Sequence, residues 1–80
     1  MNRIVCELLS VGEHKRQSDG KRYFSVRILV ENKVVVLFFN DEGLYNNLSK
    51  LDRLSDICLL GDFKVKDDHS FLFVPSSFEM

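Results

Sequence analysis

Between Lys21 and Val30 the chain alternates residue by residue, with Phe24, Val26, Ile28 and Val30 on one parity and Lys21, Tyr23, Ser25, Arg27 and Leu29 on the other. Successive side chains of a strand point to opposite faces, so this run reads as a β-strand with an apolar face that must be covered. Its other face offers a cation, an aromatic ring, a hydroxyl and a second cation. The covering has to come from few residues. At 80 residues the chain makes one domain, residues 1–80, and a chain of this size buries only about 60% of the surface its unfolded form exposes. Two cysteines are too few for a disulfide framework, and Cys6 and Cys58 lie in apolar runs with no CxxC or Cys/His spacing that would suggest zinc. Both are expected as buried, reduced thiols. A β-branched and aromatic core, to which seven Phe contribute, is left to hold the fold together.

The neighbouring segments supply further strands. Arg3 to Val11 reads as a first strand, apolar on both parities, and the polar run from Gly12 to Gly20 reads as a loop. After the second strand, Glu31-Asn32-Lys33 turns the chain into Val34 to Asn40, which is again apolar on both parities. Turn length sets the register here. A three-residue turn sends Val34, Val36 and Phe38 to the core and leaves Val35, Leu37 and Phe39 beside Tyr23 and Arg27, and a two-residue turn exchanges the sets. The three-residue turn is the preferred reading. Asn40 or Asp41 then caps a short helix with Leu44, Leu48 and Leu51 at i, i+4 and i+7, and Lys50 and Arg53 near its end. A fourth strand is expected over Asp56 to Lys66, bent at Gly61, and a fifth over Ser70 to Val74, ended by Pro75, with a loosely held tail. The order β-β-β-α-β-β predicts an all-β domain, a five-stranded Greek-key barrel of the oligonucleotide-binding (OB) type with one short helix between strands 3 and 4.

Formal net charge is −1 and the pI about 6.1, a balance that counts against a protein whose main affinity comes from neutralising phosphates. The charges are unevenly placed. Up to Val34 seven cations face four anions, and from Val35 onward four face eight, so a basic stripe can exist on an acidic molecule. Catalysis needs a nucleophile, a base or a metal within reach of one another, whereas His14 and His69 are scattered in a loop and a hairpin turn and read as solvated. No GxGxxG or GxxxxGK loop is present. Neither an enzyme nor a cofactor is therefore expected. Lys21, Tyr23, Ser25 and Arg27 lie about 6.6–6.8 Å apart along one strand face, and cations alternating with a ring suit an extended single strand of nucleic acid, where each base stack is worth about 1–3 kcal/mol. Lys15 and Arg16 bracket the approach to that face, and Phe39 adds a second ring beside Tyr23 in the preferred register. The opening residues lack the pattern of a secretory signal and no apolar run approaches the ~20 residues of a membrane span, so a cytoplasmic protein is expected.

Gly20-Lys21-Arg22-Tyr23, the run Val34 to Phe39 leading into Asn40-Asp41-Glu42-Gly43, and Phe63-Lys64-Val65 followed by Val74-Pro75 resemble the filamentous-phage gene V proteins, small dimeric OB barrels that coat single-stranded DNA during replication. The similarity covers roughly residues 20–75. It implies that Lys21 lies near the phosphate path, that Tyr23 lies against nucleic acid, that Val34, Val36 and Phe38 point inward, and that the hairpin from Asp62 to Phe71 helps form a homodimer contact. The chain departs from that family in carrying Asp67, Asp68 and His69 at the hairpin tip and Asn32 where the family has a tyrosine. The expected function is nonspecific single-stranded DNA binding in phage or plasmid replication, in the host cytoplasm if phage-encoded, through Lys15, Arg16, Lys21, Tyr23, Arg27 and Phe39, with RNA as the alternative nucleic-acid ligand. The alternative is a protein-interaction module on the same small barrel, such as a phage inhibitor of a host protein.

Overall fold

The computed structural model describes residues 1–80. Strands β1 (Asn2–Lys15), β2 (Arg22–Val30) and β3 (Lys33–Phe39) are followed by helix α1 (Glu42–Ser49) and strands β4 (Asp56–Val65) and β5 (Phe71–Glu79). All pairings are antiparallel, in one sheet of order β3-β2-β1-β4-β5. The central strand serves two partners in turn. Asn2 to Glu7 pair with β4 and Glu7 to Lys15 with β2, and between Leu8 and Ser10 the register slips by one residue. Such a bulge sharpens local twist and bends the strand. The segment after the helix ties down this point, with the Leu54 N–H donating to the Leu8 carbonyl (2.6 Å) and the Leu8 N–H to the Ser55 carbonyl (2.9 Å).

A second irregularity lies between Leu60 and Gly61. A Cβ on Gly61 would collide with the Val74 carbonyl oxygen, so the close approach of β5 there requires glycine. The sheet curls until its edge strands β3 and β5 come near each other, yet they share no hydrogen-bonded ladder. The sheet is therefore not closed, and the fold is an open five-stranded antiparallel sheet with one short helix.

The core lies on the concave face. Phe24, Val26 and Ile28 of β2 meet Leu8 of β1, Leu37 and Phe39 of β3, and Ile57 and Leu59 of β4. The helix closes one end, because Asp41 caps it by accepting from the Leu44 N–H at 3.1 Å and its i, i+4 pair Leu44 and Leu48 is buried. Tyr45 stacks on Phe24 with ring centroids 4.5 Å apart. Cys6 is buried, Cys58 half-buried, and both are free thiols. No helix is long and apolar enough to cross a membrane.

Three sequence expectations are corrected. The turn between β2 and β3 has two residues, Glu31 and Asn32, with φ of 49° and 67°, the doubly left-handed conformation whose twist matches a hairpin. Val30 then pairs with Lys33, Val26 with Leu37 and Phe24 with Phe39, so Leu37 and Phe39 point inward while Val34, Val36 and Phe38 point outward. The preferred register, and the inward placing implied by the family resemblance, are thus reversed. Next, β1 continues through the expected loop as far as Lys15, because Gly12 to Lys15 find ladder partners in Arg22 to Ser25. Last, β5 runs through Pro75 to Glu79. Proline is tolerated there because β5 is an edge strand and Pro75 sits at the bulge opposite Gly61, and the tail is held by pairing of Ser77, Phe78 and Glu79 with β4.

Candidate nucleic-acid interface

The convex face of β1, β2 and β3 follows from these registers. Tyr23 of β2 lies opposite His14 of β1, and Ser25 lies between Gly12 of β1 and Phe38 of β3. Three rings consequently gather across three strands. His14 and Tyr23 are stacked, centroids 5.0 Å apart and planes 24° off parallel, and Phe38 stands tilted to Tyr23 at 6.1 Å and edge-on to His14 at 6.4 Å. Phe38 is 46% exposed and Phe39 only 3%. Phe39 is therefore corrected from a surface ring to a core residue, and the ring next to Tyr23 on the surface is Phe38. Ser25 is buried as well, its hydroxyl lying 2.8 Å from His14 Nε2, so it is a support beneath the rings rather than a contact point.

From Tyr23 and Phe38 a groove of about 540 Å³ runs into the open seam between β3 and β5, lined also by Arg16, Asn40, Lys64, Leu72 and Val74, with Phe39 as its floor. A second depression, lined by Arg16, Lys21, Arg22, Phe24, Asn40 and Glu42, adjoins it and shares Arg16 and Asn40. Together they make one trough with rings on one wall and cations along it. The hairpin of β4 and β5 supplies the far wall, since Lys64 pairs with Leu72 and shares its face.

The cations differ in availability. Arg22 is clamped between Glu13 and Glu42, both at 2.9 Å, and its guanidinium lies over the Phe24 ring. The Glu42 hydrogen bond and charge, followed by the Glu13 charge, raise its pKa further above the ordinary arginine value. This residue pins α1 to β1 and β2 and has little left for a phosphate. Arg16 keeps one loose ion pair, with Asp19 at 3.5 Å, at the base of a tight loop closed by the Arg16 N–H to Lys21 carbonyl bond and by Gly20 at φ 70°. Lys21 and Lys64 have no ion-pair partner within 4.0 Å.

Of the residues expected from sequence, the fold brings Arg16, Lys21 and Tyr23 to the trough, with Phe39 reaching it only as a buried floor residue. Lys15 and Arg27 are exposed on β1 and β2 but line neither depression, Arg27 lying opposite Val36. Sequence reading missed Asn40 and Lys64 in the trough, placed Phe38 outward only in the register it did not prefer, and missed His14, which lines neither depression but stacks on Tyr23 beside them. Continuing the parity Ser10, Gly12, His14 past the glycine would have found His14, which was instead assigned to a solvated loop. No three His, Cys, Asp or Glu side chains gather as a metal site. Chemically, the arrangement can stack planar groups on Tyr23 and Phe38 and hold anions at Arg16, Lys21 and Lys64. No family model, no curated protein and no solved structure matches the chain.

Proposed function

We propose that this chain binds single-stranded DNA without sequence preference, as a homodimer serving phage or plasmid replication, and that its open sheet is an OB-type Greek-key barrel left unclosed at the β3–β5 seam. One observation carries the reading: the Tyr23 and Phe38 rings stand at the mouth of a trough whose length is marked by Arg16, Lys21 and Lys64. Unpaired bases present π-faces that stack on such rings, whereas a duplex keeps its bases stacked on one another, so the trough favours single strands. The resemblance to gene V proteins at residues 20–23, which implies that Lys21 lies near phosphate and Tyr23 against nucleic acid, points the same way. A second copy would seat on the hairpin of β4 and β5, where Phe63, Val65 and Phe71 form an apolar strip 53%, 65% and 70% exposed.

The test is fluorescence anisotropy with labelled oligo-dT at several salt concentrations. Three trough cations predict a log K against log salt slope near −2, at about −0.7 per phosphate on single strands. Tyr23→Ala and Phe38→Ala should each weaken binding about 5- to 100-fold with the slope unchanged. Absence of salt-dependent binding at low salt overturns the reading. It would favour a protein-interaction module, for which the exposed Val34, Val36 and Phe38 of β3 offer a docking edge. Competition by matched RNA oligomers separates a DNA from an RNA ligand, since the two differ by the 2′-hydroxyl.

A further inference from the structure

We propose that His14 is the third stacking ring of this face, held in place by a brace made of Gly12 and Ser25. The inference rests on the single-strand-binding reading and adds a residue and a device to it. The imidazole is exposed, stacks on Tyr23 and reaches Phe38 edge-on, so the three rings form one aromatic cluster across β1, β2 and β3, in which the side of the imidazole turned away from Tyr23 is left for a base.

Its orientation is set from below. The hydroxyl of Ser25, a residue 6% exposed, has His14 Nε2 as its hydrogen-bond partner at 2.8 Å. Swinging the ring away would leave that buried hydroxyl unsatisfied, which opposes the motion. Gly12 supplies the room. A Cβ there would stand 3.1 Å from Ser25 Oγ and 3.2 Å from His14 Nε2, closer than packed side chains ordinarily come, so the hydroxyl and the imidazole would both have to give by a few tenths of an ångström. A ring already fixed in its binding orientation loses less freedom when a base settles on it than a mobile side chain does.

With Nε2 engaged inward, Nδ1 keeps its hydrogen-bonding capacity for a base or phosphate, as a donor or an acceptor according to tautomer. The same His and Ser pair is not a nucleophilic dyad. The Ser25 oxygen lies beneath the imidazole, where no substrate carbonyl can approach it, and His14 makes no side-chain hydrogen bond to a carboxylate that would orient it as a base.

Two double variants remove the hydroxyl together with its partner and so leave no orphaned group. His14→Phe with Ser25→Ala keeps a ring, and His14→Ala with Ser25→Ala removes it. In oligo-dT anisotropy the ring-bearing variant should bind within about threefold of the native chain, and the ringless one about 5- to 100-fold more weakly with an unchanged salt slope. A ringless variant that binds like the native chain overturns the role of His14.

A measurement on folded protein independent of these variants is proton NMR of the imidazole, assigned with His69→Gln. Stacking of thymine should move the His14 ring signals upfield on addition of oligo-dT, and their remaining in place while oligo-dT is bound overturns the proposal. Failure of the native chain to bind oligo-dT at low salt would overturn the parent reading and this one with it. Native binding combined with silent His14 signals overturns His14 alone.

Discussion

The Cys6 thiol sits on the buried face of β1, and burial first, with the neighbouring Cys58 second, pushes its pKa from 9.0 up to about 11 against the opposing hydrogen bond to the Leu59 backbone. The unfolded chain would therefore release this proton near pH 9 while the folded chain still holds it. The stability that goes with the neutral thiol is whole below pH 9 and is lost as pH rises through about 11, a difference of at most about 2–3 kcal/mol. Urea midpoints of the native chain should fall more steeply between pH 8 and 10.5 than those of Cys6→Ala, in which other groups titrating in that range are retained and cancel. Parallel profiles would remove Cys6 as the source. Phe38 and Phe39 make a second test at this scale. Phe39→Ala empties a core position and should cost about 3–5 kcal/mol, whereas Phe38→Ala should leave the urea midpoint nearly unchanged and act on oligonucleotide affinity. The opposite pattern would restore the register that the structure reverses.

At the scale of elements, strand ends and register are set by what each strand pairs with. The alternation of Phe24, Val26 and Ile28 and the i, i+4 spacing of Leu44 and Leu48 are legible in the sequence because each pattern has one apolar face, and both elements appear where they were expected, although the helix ends at Ser49, short of the expected Leu51 and Arg53. In β3 every residue from Val34 to Phe39 is apolar, so parity carries no information about which side is inside. The left-handed pair Glu31 and Asn32 decides it. Neither residue favours that conformation as glycine does, so Glu31→Asn with Asn32→Gly should stabilise the hairpin by about 1–2 kcal/mol without altering the ladder, as read from the urea midpoint. A destabilised variant would contradict the turn. Half of the trough was hidden for the same kind of reason. Tyr23, Lys21 and Arg16 lie near one another in sequence, while Lys64 reaches them only because β5, paired to β4, curls toward β3.

For the molecule as a whole, an apolar strip is left on the hairpin of β4 and β5, where Phe63 packs edge-on to Phe73 and Phe71 and the outer rings run on into solvent. In the proposed dimer this strip is covered. Sedimentation velocity should give twice the 9.3 kDa chain mass for the native protein and the single chain mass for Phe71→Asp with Val65→Lys. A native monomer at working concentrations would remove the dimer. Charge is distributed at this scale too, since the acidic second half contributes Lys64 to the trough while its carboxylates at Asp67 and Asp68 stand at the hairpin tip. By itself the sequence determined which segments are strands, where the helix lies and which face of β2 is buried, because those depend on local periodicity and on one polar and one apolar parity. Only the tertiary structure decided the inward face of β3, the reach of β1 and β5, and the meeting of His14 with Tyr23 and of Lys64 with Arg16. These depend on backbone hydrogen bonds and contacts between residues far apart in the chain, and no local pattern encodes which distant partner will satisfy them.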